Sequence, residues 1–260
     1  MTLGLANVSR MPGRNWDRIE LLKALALYCQ LPFGKMHARN PVVIALAVDI
    51  DRTPSSVALK LVNFASLDPE HRRRGVRGMR NASSADKEIW HEYYGRWDAL
   101  AEWVLEPQTG EWSSDDVAKL AVPDGPTEVL RETKARRGQQ FFCNAVFAAH
   151  GGQCCITGIT SLELLRASHI VPWSFAPESR LDPRNGLCLN ALHDAAFDHG
   201  MITLTDDLRL TISSRLRNKV PEAIFVELFE SRAGHPIRQS ERFRPASESL
   251  AYHREQIFVS

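Results

Sequence analysis

The sequence predicts an α+β protein with a helical front part and a rear part that combines short strands with helices. In the front part, apolar residues recur at the spacing of one helix face, as at Leu21, Leu25 and Tyr28. In the rear part, a short β-forming segment, an Asn-Gly turn, a second β-forming segment and a helix follow one another. A Pro- and Gly-containing stretch at 106–126 is the predicted linker between domains at 16–105 and 127–260.

The composition is that of an ordinary globular protein. Of 260 residues, 44% are hydrophobic and 24% are charged, with a net charge of +1. This balance excludes a surface that is basic throughout, although it allows a local basic face. No apolar run approaches the roughly 20 residues of a membrane span, and no secretion signal is visible. The odd count of five cysteines favours a reducing compartment, so we expect a cytoplasmic protein without membrane contact.

The first motif has the outline of a helix-turn-helix. Pro41 opens a short helix, and Thr53-Pro54 has the form of an N-cap and first turn for a second helix. The second helix is expected to present a polar outer face to DNA, formed by Ser55, Ser56, Lys60 and Asn63. The alternative is an ordinary helical bundle whose outer face is only solvated.

A basic stretch follows this motif, and its arginines are candidates for phosphate contacts. They are Arg72, Arg73, Arg74, Arg77 and Arg80. An exposed loop that charge keeps soluble is the alternative.

Ser83 and Asp86 then have capping-box spacing before one long predicted helix that runs to Val104. Its aromatic stripe, including Trp90 and Trp97, is predicted to be core.

The remaining elements are predicted from local patterns. A helix is expected from about Thr127 to His150, where Gly151-Gly152 ends it. Strands are expected at 166–171 and 187–189, followed by a helix at 190–199 and a β-hairpin at 201–212. Accessory helices around Ile224 and Leu250 complete the predicted rear domain.

Three polar residues of the rear unit have the chemistry that phosphodiester hydrolysis needs. A water molecule must lose a proton near neutral pH, and imidazole suits that task. We interpret His169 as the general base and His193, at the start of the helix, as a metal ligand. Asn185 is interpreted as the residue that fixes the loop against His169. The predicted ββα unit would place both histidines on one side. Structural roles, and a simple turn for Asn185, are the alternatives.

These residues belong to four short blocks that resemble the HNH endonuclease superfamily, and most closely its bacterial restriction-endonuclease-like branch. The blocks are Cys155-x-Thr157-Gly158, His169-Ile170-x-Pro172-Trp173, Asn185-Gly186-Leu187 and His193-x-x-x-Phe197-Asp198-x-Gly200. The resemblance covers about residues 138 to 215. It implies a ββα-metal fold and divalent-metal-dependent cleavage of DNA, with His169 activating water.

The sequence departs from the family at Ser168, where many members have a metal-binding aspartate or histidine. The candidate ligands are therefore His193, Ser168 and Asp198, and a helix-end hydrogen bond is the alternative for Asp198. Mg²⁺ is the first choice of metal, with Mn²⁺ or Ni²⁺ as alternatives. No Cys-x-x-Cys pair is present, so we expect no structural zinc and predict Cys155 and Cys188 to be core residues. His199 is either a phosphate contact or a helix-end cation.

The sequence thus predicts an endonuclease of the restriction or defence type that acts on double-stranded DNA. A double-strand cut needs two active sites, which favours a homodimer. One alternative is a DNA-binding protein whose HNH fold has lost activity. Others are nucleases for modified DNA, for mobile elements or for RNA.

Overall fold

The computed structural model describes residues 14–74, 82–105 and 128–260, with the backbone alone for 128–135. Helices and two small antiparallel sheets make up this part of the chain, which confirms the α+β class. The helices are α1 (Arg18–Gln30), α2 (Pro41–Asp49), α3 (Pro54–Leu67), α4 (Pro69–Arg73), α5 (Ser84–Tyr93), α6 (Trp97–Leu105), α7 (Glu128–Ala149), α8 (Ala191–Asp198), α9 (Ser214–Arg217), α10 (Glu222–Leu228) and α11 (Ser247–Tyr252). The strands are β1 (Leu165–His169), β2 (Gly186–Asn190), β3 (Ile202–Leu204) and β4 (Leu210–Ile212).

The predicted helix starts are confirmed by their capping hydrogen bonds. The Thr53 hydroxyl accepts from the Ser56 amide at 3.2 Å, with Pro54 in the first turn of α3. Ser83 and Asp86 form the expected capping box of α5, each accepting from the other's backbone amide. Side-chain oxygens therefore satisfy amides that would otherwise lack partners at these helix ends.

The single long helix predicted up to Val104 is wrong, because the chain forms two helices there. The Tyr94 amide still bonds to the Trp90 carbonyl at 2.7 Å, but Gly95 then has a φ of 79°. This left-handed conformation, which glycine adopts without steric cost, ends α5 and redirects the chain into α6. The aromatic stripe is nevertheless core as predicted, since Trp90 and Trp97 are buried.

The polar face predicted for α3 is wrong at two of its four positions. Lys60 and Asn63 are buried, and both bind the buried carboxylate of Asp86 on α5, at 2.6 Å and 3.2 Å. Ser55 is exposed and Ser56 is half-buried. Lys60 and Asn63 hold α3 against α5, so they are not available to DNA in this structure.

Removing the Asp86 carboxylate is expected to destabilise the protein severely. Asp86→Ala leaves the Lys60 ammonium buried without a counter-charge, a change that costs about 3–5 kcal/mol. The free energy of unfolding in urea measures the loss. Asp86→Ala combined with Lys60→Met should recover part of it, because the stranded charge is gone. A loss below about 1 kcal/mol, the size of a surface ion pair, would contradict this account.

Helix α7 packs against both parts of the molecule. Phe141, Ala145 and Ala149 lie one turn apart and belong to the buried core that also contains residues of α1, α2, α3, α5 and α6. On the adjacent face, Phe142 and Val146 pack with residues of the β1–β2 hairpin. The predicted linker 106–126 lies outside the described residues, and the division into two domains stays a prediction. What the structure adds is a core that helices on both sides of that linker share.

The rear part is built around two hairpins. Strand β1 pairs antiparallel with β2, with His169 opposite Gly186, and the hairpin contacts both α7 and α8. Strands β3 and β4 form the second predicted hairpin. Cys155 and Cys188 are buried core residues, as predicted. Within the described ranges, the helices are all too short or too polar to cross a bilayer.

Candidate active site

His169 lies at the end of β1 and is held on three sides. Its ring stacks on Phe142 of α7, with centroids 3.9 Å apart and planes within 7°. The Trp173 ring lies perpendicular to it, with centroids 5.6 Å apart. Nε2 donates a hydrogen bond to the Arg180 carbonyl at 3.0 Å, and since a carbonyl only accepts, this nitrogen carries the proton. Nδ1 is left with its lone pair and has no hydrogen-bond partner among the described residues.

The surroundings of His169 favour the neutral ring. Burial lowers the pKa of His169 below its ordinary value, and this effect exceeds the opposing effects of the Arg180 hydrogen bond and the Asp194 charge. A neutral imidazole with a fixed tautomer and a free lone pair has the form that a general base requires. Gly186 makes room for the stack, because a Cβ there would lie 2.4 Å from Val146 and 2.8 Å from Phe142.

Asn185 fixes the segment that follows His169. Its side-chain oxygen accepts from the Val171 amide at 2.8 Å, and its amide group donates to the Val171 carbonyl at 3.1 Å. Its own carbonyl accepts from the Ile170 amide at 2.9 Å. Asn185 is thus a fully buried positioning residue, bonded to the chain just beyond His169 rather than to the ring itself.

His193 has protein partners at both ring nitrogens in this structure, and its role as a metal ligand stays a prediction. Its ring is fully buried against Phe229, with centroids 4.9 Å apart. Nδ1 accepts from the Asn190 side chain at 2.8 Å, and Nε2 donates to the Leu228 carbonyl at 2.9 Å. Neither nitrogen has a lone pair to offer. The two histidines also lie on different sides of the unit, because His169 faces α7 whereas His193 faces α10.

Ser168 is buried on the face of the hairpin opposite to His169. Successive side chains of a strand point to opposite faces, so Ser168 is directed toward α8. Its hydroxyl oxygen is enclosed and has no hydrogen-bond partner among the described residues. A buried hydroxyl without a partner is unusual and needs an explanation, such as an ion or a water molecule.

Helix α8 carries two carboxylates, and one of them, Asp194, was not predicted from the sequence. Asp194 and Asp198 are one helical turn apart, so they lie on the same helix face. Burial raises the pKa of Asp198, and the charge of Asp194 raises it further. The same Asp194 charge acts on His169. The spacing of Asp194 and Asp198 was a signal in the sequence that could have identified the pair.

The donor chemistry of this face suits a hard divalent cation. Mg²⁺ is commonly bound by one or two carboxylates, water and substrate phosphates. Asp194 and Asp198 supply two carboxylates on one face of α8, and the role of Ser168 as a ligand stays a prediction. Within the described residues, no cluster of three or more His, Cys, Asp or Glu side chains could hold a metal by itself. A metal here would therefore need substrate oxygens to complete its coordination.

The predicted DNA contacts are distributed over other surfaces. Arg72, Arg73 and Arg74 are exposed, and their side chains contact Ser66, Glu70 and Glu241, respectively. Arg77 and Arg80 lie outside the described residues. His199 is exposed, and its Nδ1 bonds to the Ala195 carbonyl at 2.9 Å, which is the helix-end arrangement. Its predicted phosphate contact stays a prediction.

Comparison with known proteins agrees with the geometry of the rear unit. Residues 154–205 match a family model described as HNH endonuclease. A search of curated proteins found no match. The matched segment contains β1, β2 and α8, and with them His169, Asn185 and both carboxylates. An HNH domain implies nucleic-acid binding and a nuclease-type function. Residues 154–205 of the rear unit are therefore similar to HNH endonucleases.

Proposed function

We propose that this protein is a divalent-metal-dependent endonuclease that hydrolyses phosphodiester bonds of double-stranded DNA, with His169 as the general base. The observation that carries the proposal is the state of the His169 ring. Its Nε2–H is anchored to the Arg180 carbonyl, its pKa is lowered by burial, and its Nδ1 is free of protein partners among the described residues. A ring in this state is neutral and has a lone pair with which to accept a proton.

The reaction assigns one task to each residue. Nδ1 of His169 takes a proton from a water molecule, whose oxygen attacks the phosphorus while the bond to the leaving sugar oxygen breaks. Asn185 and the Phe142 stack keep the ring in one orientation. Asp198, with Asp194 one turn before it on α8, would hold the metal. When bound, the metal supplies positive charge for the phosphate and the leaving oxygen.

A role in restriction or defence is part of this proposal. A chain that places a helical domain and exposed arginines before a nuclease unit has separate surfaces for holding DNA and for cutting it. Two copies would supply the two active sites of a double-strand cut, so we propose a homodimer. Light scattering during size-exclusion chromatography tests the oligomeric state.

The function is tested on supercoiled plasmid DNA, methylated and unmethylated, with Mg²⁺, Mn²⁺, Ni²⁺ or EDTA, beside duplex and single-stranded RNA. Metal-dependent cutting of DNA is the expected result, and a methylation contrast would support the restriction role. Binding of DNA without cutting under any metal would favour the inactive HNH protein instead. Cutting of RNA alone would overturn the DNA substrate.

A further inference from the structure

Arg180 contacts the candidate base by two different routes. Its backbone carbonyl accepts the hydrogen bond from Nε2 of His169 at 3.0 Å. Its guanidinium carbon lies 5.0 Å from the centroid of the Trp173 ring, which packs perpendicular to the His169 ring. The imidazole and the guanidinium therefore lie against the same indole. One residue fixes the tautomer of the base and places a positive charge beside it.

The charge of Arg180 has no counter-charge among the described residues. Arg184 and Arg217, in the same part of the chain, pair with carboxylates at 2.6 Å and 2.8 Å. Arg180 makes no such pair in the described ranges, and its Nε atom is buried without a hydrogen-bond partner. The Trp173 ring holds the guanidinium in place, but a ring face does not provide acceptor atoms for its N–H donors, which have no partner among the described residues. A planar fork of unused N–H donors is suited to phosphate oxygens.

We propose that the Arg180 guanidinium binds a non-bridging oxygen of the phosphate that is attacked by the water His169 activates. This inference rests on the proposed function. The contact would orient the phosphate toward the base and offset the negative charge that grows on its oxygens during attack. Trp173 restricts the side chain, so that less conformational entropy is lost when the phosphate binds.

The test combines a binding measurement with a rate measurement on the full chain. Binding of a fluorescent DNA duplex in EDTA is followed across salt concentrations, and plasmid cleavage is followed with Mg²⁺. Each neutralised phosphate contributes about 0.9 to the magnitude of the slope of log affinity against log salt. Arg180→Ala should therefore reduce that magnitude by about 0.9, the contribution of one contact. Its cleavage rate should fall by about 10²-fold, as when one transition-state donor is removed.

Two further variants separate a phosphate contact from a structural effect. Arg180→Lys keeps the charge, so it should restore the salt slope while recovering only part of the rate. Arg217→Ala removes an exposed arginine that is paired with Glu222 and Glu230, and it should leave both quantities unchanged. If Arg180→Ala keeps the wild-type slope and rate, the inference is overturned. A wild-type protein that binds but never cuts overturns the proposed function, whereas the slope still decides the phosphate contact.

Discussion

Replacement of His169 by alanine is expected to reduce DNA cleavage by about 10²–10⁴-fold, the usual contribution of a positioned general base. The variant loses the one nitrogen that is both deprotonated and free of protein partners among the described residues at this site. The initial rate of plasmid nicking with Mg²⁺ measures the effect. Binding of DNA should hardly change, because the neutral imidazole makes no contribution to counterion release.

The fold of the variant must be checked, since the His169 ring also packs on Phe142. His169→Gln fills more of the space while lacking a base of suitable pKa, so it should be equally impaired and closer to the wild type in stability. His91→Ala removes an exposed histidine of α5 and serves as the matched control. Cleavage by His169→Ala at the wild-type rate would remove His169 from the mechanism.

The elements of the rear unit could be predicted because their signals are local. Asn185-Gly186 marks the start of β2, and Asn190 caps α8 by accepting from the His193 amide at 2.9 Å. Neither signal depends on distant parts of the chain. The same holds for the caps at Thr53 and Ser83. Local hydrogen bonds fix where an element begins, so a sequence reveals these points without the tertiary structure.

The roles of single side chains were harder to predict because distant partners decide them. The sequence pattern predicts His193 as a metal ligand, but its Nε2 donates a hydrogen bond to the Leu228 carbonyl of α10. The pattern of α3 predicts an exposed Lys60, but in the fold Asp86 of α5 lies 2.6 Å from its ammonium group. No pattern near either residue in the sequence indicates those partners. The stack of Phe142 on His169 likewise joins a helix and a strand that are remote in sequence.

Asp194 was missed for a different reason, because the spacing that pairs it with Asp198 is visible in the local sequence. His193 and Asp198 are five residues apart, a spacing that does not place them on one face of a helix. Asp194 lies four residues, or about one helical turn, before Asp198. The pair then lies on one face of α8, where the charge of Asp194 raises the pKa of Asp198. A bound cation would relieve that repulsion.

Replacement of either carboxylate by its amide is therefore expected to weaken metal binding and to stop cleavage at low Mg²⁺. Loss of even an outer-shell partner of a metal costs about 10–100-fold in affinity, so Asp194→Asn and Asp198→Asn should each weaken binding by at least about 10-fold. Mn²⁺ titration followed by electron paramagnetic resonance, with a DNA duplex present, measures affinity without reference to activity. Asp207→Asn, in the exposed turn between β3 and β4, is the matched control.

The two variants should not behave like damaged proteins in the absence of metal. Like charges one turn apart on a helix destabilise it by a few tenths of a kcal/mol, so removing one of them should leave the metal-free protein as stable as the wild type or slightly more stable. Weaker Mn²⁺ binding together with undiminished stability in EDTA is the signature of a metal site. Wild-type Mn²⁺ affinity in both variants would exclude this face of α8. A fall in stability that accompanies the lost binding would instead assign the carboxylates to the fold.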